Sequence, residues 1–330
     1  MSEKYNMKTK ILVLIVPVLI WGTSCGKNIQ IKENFSTTGD VYVAGTVDGK
    51  AVLWKNGELQ FLSGGILDSE AKSIYVSGDV YVAGNIGSNA VLWKNGVMQK
   101  LSDDGDTNSV YVSGGDVYVA GRIGSYAVLW KNGIAQILSD ETLDAEAKSV
   151  FISGNDVFVV GNKFWKNGVV QKLTDGSEHP GGASVFVSGD DVYVAGTVYQ
   201  QGYPVATVWK NGVAQHLTHS ESNLDSLPSE YWASSIYVSG NDVYVAGGLQ
   251  YRNSRTGFRY GKLWKIDGDT SDISEFFEAT IYSVYVSEND IYLAGRQVGK
   301  GPVVWKNGIE QYLNTNGLNN SLAYSVFVVR

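Results

Sequence analysis

The sequence is short of the residues that hold many exported or catalytic domains together. Its 330 residues include one cysteine, five prolines and three histidines. A lone thiol makes no internal disulfide, so cohesion must come from a packed core. The longest apolar run near the N-terminus, Ile11 to Trp21, is too short to cross a bilayer. Lys and Arg together number 26 against 33 Asp and Glu, a formal net charge of −7. That acidic, dispersed balance argues against nucleic acid as a partner. The histidines, His179, His216 and His219, come with no partner set that would suggest a catalytic triad.

What the chain has in quantity is 20 Tyr, 9 Trp and 39 Gly, a composition of strands and tight turns. Three short elements recur seven times each. Asp-Val-Tyr-Val-Ala-Gly or a variant begins at Asp40, Asp79, Asp116, Asp156, Asp191, Asp242 and Asp290. A Trp-Lys-Asn-Gly element places its tryptophan at Trp54, Trp93, Trp130, Trp165, Trp209, Trp264 and Trp305. Ser-Val-Tyr-Val-Ser begins at Ser73, Ser109, Ser149, Ser184, Ser235, Ser283 and Ser325. The spacing, roughly forty residues, is the length of a four-stranded propeller blade.

The unit Ser109 to Leu138 shows the local logic. SVYVS (strand a) and DVYVAG (strand b) alternate β-branched and aromatic residues with period two. Gly114-Gly115 between them suits a short hairpin loop, and the following Asp is assigned to turn chemistry. AVLWK (strand c) and IAQIL (strand d) flank Asn132-Gly133, the preferred pair for a type I′ turn. Six copies keep Asn-Gly, and the sixth has Asp267-Gly268. The expected fold is all-β, a seven-bladed β-propeller of four-stranded antiparallel blades. The tryptophans are expected in the core between sheets.

The phase of the copies predicts how the ring closes. The first copy starts at strand b, and Ser325 to Val329 supplies one surplus strand a at the other end. That C-terminal strand is expected to complete the first blade and remove the open edges of a linear array. The a–b hairpin resembles that of NHL-type and related bacterial β-propeller repeats, which implies that strand a is innermost. The WD dipeptide, the kelch double glycine and the tryptophan-docking pattern of quinoprotein dehydrogenases are absent.

Residues 1–24 read as an export signal, with Lys8 and Lys10 before the apolar run and Met7 as an alternative start. The end of this segment, Gly22-Thr23-Ser24-Cys25, resembles the lipobox of bacterial lipoproteins, with Gly22 where an aliphatic residue is usual. The resemblance implies that Cys25 is lipidated and that the protein is anchored in a bacterial cell envelope, periplasmic or at the outer-membrane surface. Residues 25–39 are polar and pattern-free and read as a tether, leaving residues 40–330 for the propeller.

A residue present in every blade is demanded by the blade, so function is sought where copies differ. They differ most around blades five and six. The b–c loop Thr197 to Val205 carries Tyr199 and Tyr203. The d–a connection His219 to Ala233 carries Tyr231 and Trp232. The b–c loop Gly248 to Lys262 carries Tyr251, Arg252, Arg255, Phe258, Arg259 and Tyr260. In a meander all three emerge on the same face, and aromatic with arginine side chains suit glycan stacking, carboxylate pairing or a protein hot spot. By contrast, Gly161 to Trp165 leaves blade four almost no b–c loop. Asp104-Gly105-Asp106 and Asp267-Gly268-Asp269 lack the downstream Glu of a calcium loop and read as solvated turns. The functional expectation is a monomeric binding module whose partner is a glycan, a peptide or an envelope protein. It would touch the membrane only through its N-terminal lipid and need no cofactor or metal. The alternatives are a polysaccharide- or peptide-processing hydrolase or lyase with acidic residues in the central channel, and a spacer without a ligand.

Overall fold

The computed structural model describes residues 39–62, 64–139, 145–173, 181–200, 202–217, 230–251, 259–267 and 270–330. The segment read as an export signal, Cys25 and nearly all of the segment read as a tether lie outside them. The described residues form seven four-stranded antiparallel sheets, each a meander from inner strand a to outer strand d. Six sheets are built from consecutive strands. The first takes its inner strand from the C-terminus: Ser321–Val329 pairs with Asp40–Val47, with Asp40 opposite Val329 and Val43 opposite Val326. The closing strand is thus nine residues long, longer than the five that the repeat marks.

Each sequence element has a physical reason for its place. All six Asn-Gly pairs have positive φ at both residues, for example Asn132 at 51° and Gly133 at 82°. This is the type I′ backbone whose twist matches the strands it joins. Each of the seven repeat tryptophans is buried, and each packs on residues of the preceding blade. Trp130, for instance, lies against Tyr81, Ala83 and Leu92.

Two circuits fasten the inner strands to one another. The first Ser of every SVYVS element accepts a hydrogen bond from the backbone N–H of the residue after the same Ser in the next blade, at 3.1–3.3 Å. The final link runs from Ile74 back to Ser325, so the stitch goes round the whole ring. Deeper along the same strands lies a closed girdle of seven aromatics: Phe327, Tyr75, Tyr111, Phe151, Phe186, Tyr237 and Tyr285. Adjacent centroids are 4.7–4.9 Å apart with interplanar angles of 46–55°. Its tyrosines come in neighbouring pairs, Tyr75 with Tyr111 and Tyr237 with Tyr285. Burial pushes the Tyr111 and Tyr285 phenols above their ordinary range, and the neighbouring tyrosine adds to it.

The repeated Asp, which the sequence reading gave to the a–b turn, ties strands b and c instead. In every blade one carboxylate oxygen lies 2.7–2.9 Å from the Lys of the Trp-Lys element. In six blades the other oxygen accepts from the turn Asn at 2.7–2.8 Å. That Asn in turn accepts from the backbone N–H of the residue after the Asp. The Lys also sits 5.1–6.0 Å over the Tyr or Phe ring two residues past the Asp. Hydrogen bonds from Lys and Asn hold these carboxyls below their usual range, as at Asp116. The groups are solvent-exposed, so the network fixes the hairpin geometry more than it adds stability.

Candidate functional site

The site begins with an irregularity shared by all seven inner strands. In each, the register with strand b slips by one residue just before the stitching Ser. The residue left over is Tyr324, Lys72, Asn108, Lys148, Ala183, Ser234 and Tyr282 in blades one to seven. Such a bulge re-aims a side chain and sharpens the local twist. The Gly of DVYVAG makes it possible: a Cβ on Gly45, Gly84, Gly121, Gly161, Gly196, Gly247 or Gly295 would overlap a backbone carbonyl of the facing inner strand. Every blade thus carries the bulge, yet its residue changes from blade to blade.

Six of these seven residues, all but Asn108, line a cavity of about 1220 Å³ on the face where the b–c and d–a connections emerge. Its floor is uneven in chemistry. Tyr282 and Tyr324 meet edge-on at 5.2 Å. Burial, reinforced by nearby Glu70, raises the Tyr324 phenol above its ordinary range, so it is a neutral donor. Burial raises Tyr282 as well, against the opposing pull of Arg296 and Arg259. Lys72 is held 2.6 Å from Asp106 and 3.8 Å from Glu70, and Asp106 also accepts from Asn85. Glu146 accepts from Asn108 at 2.8 Å. The carboxylates at this level are therefore engaged by neighbours, Asp106 of the calcium-like turn included. Among the described residues no group of three or more His, Cys, Asp or Glu is placed to hold a metal; Asp269 of the second such turn lies outside them.

One wall rises from blades five and six. Of the segments expected as b–c loops, the first is largely strand and the second is strand at both of its ends. Asp191–Gln200 pairs with Tyr203–Lys210 out to Gln200 opposite Tyr203. Asp242–Gln250 pairs with Arg259–Ile266 out to Gln250 opposite Arg259. The inner strand of blade six starts at Glu230, so Tyr231 and Trp232 are strand residues too. Tyr199, Tyr203, Tyr231 and Trp232 all line the cavity. Tyr199 and Tyr203 belong to opposite faces of their hairpin and are 61% and 56% exposed. Trp232 lies opposite Gly248, where a side chain would collide with the indole. Blade four adds no wall, since its strand b ends at Gly161 and strand c resumes at Phe164.

The remaining sequence candidates do not join this group. Tyr251 and Tyr260 pack edge-on at 5.7 Å, and Tyr260 packs on Phe277 at 5.3 Å. Arg259 donates from Nε to Gln250 Oε1 at 3.0 Å. None of these three lines the cavity. Arg252, Arg255 and Phe258 lie outside the described residues. His216 is half-buried beside Thr207 and Gln200, with ring nitrogens 3.0 and 2.7 Å from them. Sequence reasoning missed the bulge residues. Their signal was present: the position before each repeated Ser changes from copy to copy.

No family model matches the chain, and no curated protein matches it. Among solved structures it is similar to the computationally designed Ika8 protein, at 16% identity and a TM-score of 0.45, over 83% of this chain and 97% of that one. It is also similar to a chain of a nidogen–laminin complex, at 9% identity and a TM-score of 0.44, over 87% and 98%. The chain is a seven-bladed β-propeller by its own strand pairing.

Proposed function

We propose that this propeller is an exported binding module, held at a bacterial envelope by a lipid on Cys25, that takes its ligand in the cavity of the variable face. One observation carries the reading. The bulge residue differs from blade to blade and in six of seven blades lines the cavity, to which the extended hairpin of blade five adds Tyr199 and Tyr203 and the inner strand of blade six adds Trp232. Aromatic walls with a few polar groups are what small-ligand sites are made of. Glu70 and Asp106 are tied to Lys72 and Glu146 to Asn108, which leaves Glu230 as the one carboxylate of the described cavity lining outside these pairs, where a hydrolase or lyase would call on two; this favours recognition over acid–base chemistry.

Two measurements test this. Affinity capture from envelope extract should lose its specific ligand when Trp232→Ala and Tyr203→Ala are combined, and keep it in Arg259→Ala. Capture unchanged by the double variant rejects the cavity as the site. Separately, Cys25→Ala should move the protein from the membrane fraction to the soluble envelope fraction. Unaltered partitioning rejects the lipid anchor.

A further inference from the structure

The cavity floor is divided by blade. Lys72 and Lys148 face it from blades two and four, while Trp232, Tyr282 and Tyr324 face it from blades six, seven and one. Blade five, between the two arcs, contributes only Gly181 and Ala183 from its inner strand, which leaves a notch below the Tyr199 hairpin. Lys72 is already neutralised by Asp106 and Glu70. Lys148 on one flank of the notch and Glu230 on the other are exposed, and among the described residues neither forms an ion pair. The notch thus lies between an available ammonium and an available carboxylate, with aromatic faces beside it.

We infer that the ligand is a short zwitterionic peptide, its free carboxylate directed to Lys148, its free ammonium to Glu230, and its apolar side chains to Trp232. The inference rests on the cavity being the binding site. A neutral glycan would use the aromatic faces but leave both charges unmatched, and a polyanion would be repelled by Glu230. Size agrees: sites for drug-sized ligands run to about 300–1,000 Å³, and a cavity of about 1220 Å³ has room for a few residues.

Calorimetry with purified soluble protein tests the idea using four probes: the tripeptide Ala-Phe-Ala with free ends, its N-acetylated form, its C-amidated form, and maltotetraose. The free tripeptide should bind, and blocking either end should weaken it about tenfold, the size of one lost charge-assisted contact. Lys148→Met should cost about tenfold for the free and acetylated forms but nothing for the amide. Glu230→Gln should show the mirror pattern. Equal binding of free and blocked peptides overturns the inference, as does no binding of the free tripeptide. Maltotetraose binding that is lost in Trp232→Ala but untouched by Lys148→Met and Glu230→Gln overturns it while leaving the cavity as the binding site. Failure of the cavity itself shows separately, in the capture experiment with Trp232→Ala and Tyr203→Ala.

Discussion

A chain that ends at Tyr324 is expected to lose its cooperative melt near the full-length temperature and to elute as aggregates. Removing Ser325–Arg330 takes away Val326 and Val328, which are 3% and 4% exposed. At about 1.5–3 kcal/mol for each buried side chain, these two alone are worth about 3–6 kcal/mol, a large part of the 5–15 kcal/mol by which domains are typically stable. The cut also removes Phe327 from the aromatic girdle and breaks the stitches at Ile74 and Val326. The Asp40–Ala44 part of strand b in the first blade, which pairs with Ser325–Val329, is then a free edge able to pair with another chain. Deleting Arg330 alone is the control. It removes surface contacts to Glu288 and Asp290 and should leave the melt nearly unchanged. Circular-dichroism melts with size-exclusion chromatography separate the outcomes. A truncated ring that melts within about 2 °C of full length would rule out closure by this strand.

The parts of the fold legible in the sequence are those whose cause is local. Asn132-Gly133 announces its turn because two adjacent residues must both take positive φ. Strand alternation shows in five residues, and the surplus strand at Ser325 shows in the count of copies. The parts that escaped depend on what lies across a ladder or in the next blade. Asp116 looked like a turn residue because its partners Lys131 and Asn132 lie on a different hairpin. Ser109 looked like a strand end because the N–H it accepts from, at Val150, belongs to the neighbouring blade. Tyr199 and Trp232 stand where the chain departs from the repeat. Their segments read as loops because the repeat stops there, whereas backbone pairing continues to Gln200 and Gln250. Arg259 was grouped with them by sequence proximity, yet its guanidinium is drawn to Gln250.

Substituting Gly121 with Val should destabilise the protein more than any surface change in the same blade. Gly121 does not have positive φ, so glycine is not there for backbone freedom. It is there because the carbonyl of Asp106, displaced by the bulge at Asn108, occupies the space a Cβ would need. Backbone on both sides leaves no flexible group to yield. The strand pair must separate or the bulge must shift, a cost above the about 1–3 kcal/mol usual for overpacking. Gly115, at φ 86° with nothing near its Cβ position, is the comparison. Gly115→Ala meets only the left-handed backbone penalty of about 1–2 kcal/mol. Thermal melts should therefore order the two variants clearly, with Gly121→Val the lower by several degrees or more. The functional arm uses the milder Gly84→Ala, beside the bulge that carries Lys72 into the cavity. Below its melting temperature this variant should show weakened ligand capture, because shifting the bulge moves Lys72 and the Glu70 carbonyl together. Gly84→Ala with both normal stability and normal capture would mean that the bulge is not what shapes the site.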